Sequence, residues 1–147
     1  MPEPESQAKN TGTMFESGLA SAPKPRIVIV DDDEAICTML RTFFESLDYE
    51  VLVYMSPVTL FQQLDHIQAD IILLDVMMSW IDGYRVCELL KSHPGTRDIP
   101  ILMMSALSGQ ENIRRGLDQA EDYFVKPVSL NRLQGRINEL LTSRMPN

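Results

Sequence analysis

Two short apolar runs that end in aspartate constrain this chain most. Ile27-Val28-Ile29-Val30 has no polar break and runs straight into Asp31, Asp32 and Asp33. Ile71-Ile72-Leu73-Leu74 follows Asp70 and runs into Asp75. A strand with one wet face alternates apolar and polar residues. An uninterrupted run is buried on both faces, as in a parallel sheet covered by helices. The carboxylates then mark the points where the chain leaves the sheet.

The segments between such runs have helical spacing. Ile36, Met39, Leu40, Phe43, Phe44 and Leu47 recur three and four apart, which draws one apolar stripe on a helix. Glu50 to Tyr54 reads as a second strand. Ser56-Pro57 reads as an N-cap with proline in the first helical position, opening a helix to about Asp65. Asp70 to Asp75 is the third strand. Asp82 to Lys91 forms the next helix, with Val86, Leu89 and Leu90 facing inward and Pro94-Gly95 beyond its end. Pro100 to Ser105 is a fourth strand, and Ser108 with Glu111 has capping-box spacing for a fourth helix. Asp122 to Val125 is a short fifth strand. A last helix from about Ser129 to Thr142 presents Leu130, Leu133, Ile137, Leu140 and Leu141. Strands alternating with helices imply βα units, a parallel sheet and right-handed crossovers. The expected class is α/β, a flavodoxin-like (βα)5 doubly wound sandwich with strand order 2-1-3-4-5.

Ligands of such sheets sit at the carboxyl ends of the strands. There the sequence places Asp31, Asp32 and Asp33, then Asp75, then Ser105-Ala106, then Lys126-Pro127. In the expected order these ends are contiguous. Converging carboxylates repel unless a cation joins them, and an open all-oxygen site suits Mg2+, or Mn2+. A lysine facing them can neutralise an incoming phosphoryl group, and a serine hydroxyl can bond one of its oxygens. An aspartate can act as nucleophile and form an acyl phosphate. Taken singly, each residue has a plainer reading: a strand-end aspartate caps the next helix, as expected for Asp33, and a lone lysine lies on the surface. The set at four strand ends carries the functional reading.

Composition narrows the remaining classes. The 147 residues carry 13 basic and 21 acidic side chains, a net charge of −8. That balance lacks the basic footprint of direct nucleic-acid or anionic-membrane binding. No apolar run approaches the ~18 residues of a membrane span. The first residues lack the apolar core of an export signal, so the expected compartment is the cytoplasm. Residues 1–25, with four prolines, read as a flexible arm, with a short docking helix over Thr13 to Ala20 as the minority reading; residues 26–144 read as the folded domain. Cys37 and Cys87 make no disulfide framework and read as inert helix thiols. His66 and His93 make no metal cluster. Met77-Met78 and Met103-Met104 read as strand and core residues, and Arg114-Arg115 as a solvated helix face.

On the motifs IVIVDDDEAI, DIILLDVMMSWIDGY, IPILMMSAL and DYFVKPV, the chain resembles the receiver domain of two-component response regulators, the fold of the chemotaxis regulator. The resemblance covers about Lys24 to Arg144. It implies that Asp31 and Asp32 bind Mg2+ together with Asp75 and the backbone carbonyl of Met77. Asp75 would be the phosphoacceptor, with Ser105 and Lys126 as the catalytic hydroxyl and lysine. Ser105 and Tyr123 would be the switch pair. A sensor histidine kinase or phosphotransfer protein would donate the phosphoryl group. A downstream effector, or a second copy in a homodimer, would read the face formed by helix four, strand five and helix five. The chain would then be a stand-alone switch whose only activity is phosphorylation and dephosphorylation of its own aspartate. The alternatives are an unphosphorylated pseudo-receiver or a receiver fragment of a longer regulator. A dehalogenase-type phosphatase lacks room for its later motif, and a flavodoxin-type module lacks its phosphate loop. Three departures stand out. Ser79-Trp80-Ile81 replaces the usual Pro-Gly-Met. GLDQAEDYF is one glycine shorter than the usual loop before strand five. Leu107, two after Ser105, is apolar where polar residues are common and where dephosphorylation is often tuned.

Overall fold

A computed structural model describes residues 23–79 and 81–143. Among them lie β1 (Arg26–Val30), α1 (Glu34–Glu45), β2 (Glu50–Tyr54), α2 (Pro57–Gln62), a single 3-10 turn (Leu64–His66), β3 (Ile71–Asp75), α3 (Gly83–Ser92), β4 (Ile101–Ser105), α4 (Gln110–Leu117), β5 (Asp122–Val125) and α5 (Leu130–Ser143). The strands are all parallel and ordered β2-β1-β3-β4-β5, as the sequence predicts. Most of the N-terminal arm, and Trp80, lie outside the described residues.

The unbroken apolar runs do what they must. β3 and β4 are buried along their whole length. One face of the sheet packs Val28, Val30, Ile72, Leu74, Ile101 and Met103 against Leu60 of α2 and Val86 and Leu90 of α3. The other packs Ile27, Ile29, Ile71, Leu73, Leu102 and Met104 against Leu40 and Phe44 of α1 and Leu133 and Ile137 of α5. Each core strand therefore divides its residues between two apolar layers.

The caps are mixed. Asp33 accepts from the backbone N–H groups of Ala35 and Ile36, capping α1 as expected, and Ser56 accepts from Val58 N–H at the start of α2. Ser108 and Glu111 form no capping box: Gly109 is the N-cap of α4 and no side chain bonds that helix start. The helix after Ser56 stops at Gln62, and the chain tightens into the 3-10 turn before Asp65 is passed. Four expected core positions are exposed instead, Met39, Leu47, Leu89 and Met77. Met39 and Leu89 sit at the margins of their apolar stripes, and Leu47 lies past the end of α1 at Glu45. Met77 has already left the sheet. Among the described residues no helix is long and apolar enough to cross a membrane.

Candidate functional site

Register builds the site. Val30 of β1 is paired with Leu74 of β3, so Asp31 and Asp75 emerge side by side one residue later. Asp75 is level with Met104 of β4, and Ser105 with Val125 of β5. Lys126 follows at the end of β5, and its peptide bond to Pro127 is cis. Asp31, Asp75 and Ser105 are buried, while Asp32 is half-buried.

Lys126 Nζ lies 3.1 Å from Asp31 Oδ2 and 3.3 Å from Asp75 Oδ1. Asp31 Oδ1 accepts the Asp33 N–H at 2.9 Å. Asp32 Oδ2 accepts both the backbone N–H and the hydroxyl of Ser79, each at 2.9 Å. Carboxylate oxygens of Asp31, Asp32 and Asp75 all fall within 4.8 Å of one another. Among the described residues no hydrogen bond goes to Asp75 Oδ2 or to Asp32 Oδ1. Three carboxylates balanced by one lysine, with two oxygens left open, form a donor set that fits a hard divalent cation.

The electrostatics agree. Burial, and then the charge of Asp31, push the Asp75 carboxyl up to about 6, although Lys126 and the Met77 N–H pull the other way. The Ser79 N–H holds Asp32 below the usual carboxylate range, against a smaller effect of burial. Burial works against the charge of Lys126, but Asp31 and Asp75 outweigh it and hold its ammonium above the ordinary lysine value.

Around this centre, Ser105 Oγ accepts the Leu107 N–H at 3.0 Å, and the Tyr123 hydroxyl donates to the Leu107 carbonyl at 2.9 Å. Tyr123 is buried, with its ring inside the sheet layer that faces α3. Met77 turns its side chain out, and its backbone pairs with Asp82 across the loop. Gly83 closes that loop: its N–H donates to Val76 O at 2.7 Å, and a Cβ there would strike Asp75 O and Val76 Cα. This is a close backbone approach that only glycine permits.

Sequence reasoning singled out the strand-end residues and missed three of their supports. Ser79 donates its N–H to Asp32, a bond that proline at this position could not supply. Tyr84 donates its hydroxyl to Asn112 O at 3.0 Å. Arg115 is not a freely solvated residue: its guanidinium lies 4.0 Å from the Tyr84 ring centroid and 3.5 Å from Asp82. Cys37 and Cys87 are buried, and burial pushes both thiols up to about 11, as inert structural cysteines require.

A parallel five-stranded sheet with an acidic trio, a serine and a lysine at its carboxyl edge defines a class, and comparison with known proteins gives it a family. The chain belongs to the response regulator receiver domain family, whose model matches residues 27–138. The DNA-binding dual master transcriptional regulator RpaA of Synechocystis is 35% identical over 125 residues, covering 83% of this chain and 52% of that protein. The response regulator PleD of Caulobacter vibrioides is 39% identical over 116 residues, covering 78% of this chain and 26% of PleD. The chain therefore spans about half the length of the first relative and about a quarter of the second. Among solved structures, the Francisella response regulator 1452 receiver domain superposes with a TM-score of 0.76 at 28% identity, over 83% of this chain and all of that one. A putative response regulator from Chloroflexus aurantiacus gives a TM-score of 0.75 at 32% identity, over 81% of this chain and 98% of that one.

Proposed function

We propose that Asp75 accepts a phosphoryl group and that the chain is a phosphorylation switch of a two-component or phosphorelay pathway. One observation carries the reading: Lys126 bridges Asp31 and Asp75 while Asp75 Oδ2 is left open, beside two more carboxylates within 4.8 Å. This is a nucleophile with a cation already beside it.

The donor is a histidine kinase or phosphotransfer protein carrying a phosphohistidine. An Asp75 carboxylate oxygen attacks phosphorus. The O–P bond forms, the N–P bond breaks, and the leaving imidazole takes a proton from solvent. Asp31, Asp32, Asp75 and the Met77 backbone carbonyl would hold Mg2+ or Mn2+. When bound, such a cation neutralises the carboxylates and the incoming phosphoryl oxygens. Lys126 would transfer its contact from Asp75 to a phosphoryl oxygen. Ser105 Oγ now accepts from Leu107, which leaves its own proton free to bond another. Because Leu107 also accepts from Tyr123, a movement of Ser105 reaches the α4–β5–α5 face, where an effector or a second copy would bind. The reading places the chain in the cytoplasm. Its sequence length relative to its relatives is equally consistent with a stand-alone switch and with one module of a longer regulator.

The test is intact mass after incubation with acetyl phosphate and Mg2+. The wild type should gain one phosphoryl group, and the gain should vanish with EDTA and in Asp75→Asn. A wild type that neither gains mass nor binds beryllofluoride would favour the unphosphorylated pseudo-receiver.

A further inference from the structure

Gly116 sits in the last turn of α4, buried. A Cβ on this residue would overlap Cδ2 of Tyr123, and would stand 2.9 Å from Cε2 of the same ring and 3.1 Å from the Met103 sulfur. Any side chain at 116 must evict the ring or lift the helix. Nothing in the backbone asks for glycine, since no glycine among the described residues has positive φ. In a helix, glycine costs about fivefold in the folding constant relative to alanine. The ring is thus the physical reason for its presence.

The helix has little room to retreat. The Gly116 carbonyl accepts the N–H of Gln119 at 3.0 Å and of Ala120 at 2.8 Å, and β5 begins at Asp122. This is the loop that is one glycine short. On its other side α4 is tied to α3, through Tyr84 on Asn112 O and Arg115 on Tyr84 and Asp82. From its place against Gly116, Tyr123 holds the Leu107 carbonyl, and the Leu107 N–H holds Ser105 Oγ.

We propose that Gly116 is a positioning residue for the switch: its missing Cβ keeps Tyr123 inward, and through Leu107 keeps the Ser105 hydroxyl in place at the end of β4, next to the strand that carries Asp75. The consequence for Ser105 rests on the phosphoacceptor reading above; the packing of Tyr123 on Gly116 does not.

Two opposed effects make the test a matter of sign. Unfolding by urea is compared for wild type, Gly116→Ala, Tyr123→Ala and the double variant. If glycine is merely a weak helix residue, alanine lowers the unfolding constant about fivefold in both backgrounds. If it makes room for the ring, alanine raises the constant in the wild type and lowers it in Tyr123→Ala, where the clash is gone. The amide spectrum gives the second readout. In Gly116→Ala the Leu107 N–H resonance should shift as it does in Tyr123→Phe, because both lose the hydroxyl bond. The third is the rate of phosphoryl uptake from acetyl phosphate, expected to fall at least threefold in Gly116→Ala. Stabilisation of the wild type by alanine, or an unmoved Leu107 resonance, overturns the proposal. An unchanged uptake rate overturns the link to Ser105. Should Gly116→Ala fail to fold, recovery in the double variant supports the packing, and failure there too overturns it. If Asp75 takes no phosphoryl group at all, the proposed function fails while the first two readouts still decide the role of Gly116.

Discussion

Replacing the proposed nucleophile by its neutral isostere, Asp75→Asn, should make the metal-free protein more stable. Asp75 is buried beside Asp31, and its carboxyl is pushed up to about 6 from an ordinary 3.8, by burial first. A raised carboxyl pKa means that the folded state binds the proton more tightly than the unfolded chain. The stability this contributes is fully present below about pH 4 and is lost as pH rises through about 6. At about 1.4 kcal/mol per pH unit, the ionised Asp75 costs about 3 kcal/mol at pH 7.5. Asparagine avoids that charge but turns an N–H group towards Lys126, which returns part of the gain. The expected difference is about 2 kcal/mol in favour of Asp75→Asn at pH 7.5 in EDTA, shrinking towards zero near pH 4. Urea unfolding monitored by far-UV circular dichroism at several pH values measures it. Added Mg2+ should narrow the gap from the other side by binding the wild type preferentially. An Asp75→Asn protein no more stable than wild type above pH 7, or a gap independent of pH, would refute the burial argument.

Other perturbations have equally definite outcomes. Lys126→Met leaves Asp31 and Asp75 buried without their cation, and should cost about 3 kcal/mol in EDTA by urea unfolding, with a smaller loss in an Asp75→Asn background. Asp31→Ala combined with Asp32→Ala should abolish the heat of Mg2+ binding in titration calorimetry; an undiminished signal would move the cation elsewhere. Asp33→Ala removes only the α1 cap and should lower stability by about 1 kcal/mol while leaving Mg2+ affinity unchanged. Gly83→Ala, whose Cβ would strike backbone at Asp75 and Val76, should weaken Mg2+ binding severalfold by the same calorimetry, because the loop carrying Met77 must shift.

Much of the molecule was legible from local pattern. The uninterrupted runs at Ile27–Val30 and Ile71–Leu74 sufficed for a parallel sheet, because only a strand covered on both faces tolerates them. The strand-end rule points to Asp31, Asp32, Asp75, Ser105 and Lys126 as neighbours; the structure gathers the three carboxylates and Lys126, with Ser105 at the adjoining end of β4 bonded to Leu107. Errors fell where local pattern is weak. Ser108 and Glu111 have capping-box spacing, but the N-cap of α4 falls one residue later, at Gly109, so the spacing is out of phase. Met39 and Leu89 fit their stripes by period, yet the width of the buried face depends on what covers it; Leu47 fits the period too, but α1 ends at Glu45 before reaching it.

What the sequence determined by itself is the order of elements and the identity of the residues at the sheet's carboxyl edge. Both follow from residue type and spacing along one chain. What only the tertiary structure decided is how those residues are held: Ser79 on Asp32, Tyr84 of α3 against Asn112 and Arg115 of α4, and Gly116 beneath Tyr123. The first two contacts join segments far apart in sequence, and the third joins a helix to the strand that follows it. Their existence depends on ångström-scale approach between helices and loops, and no periodicity records it.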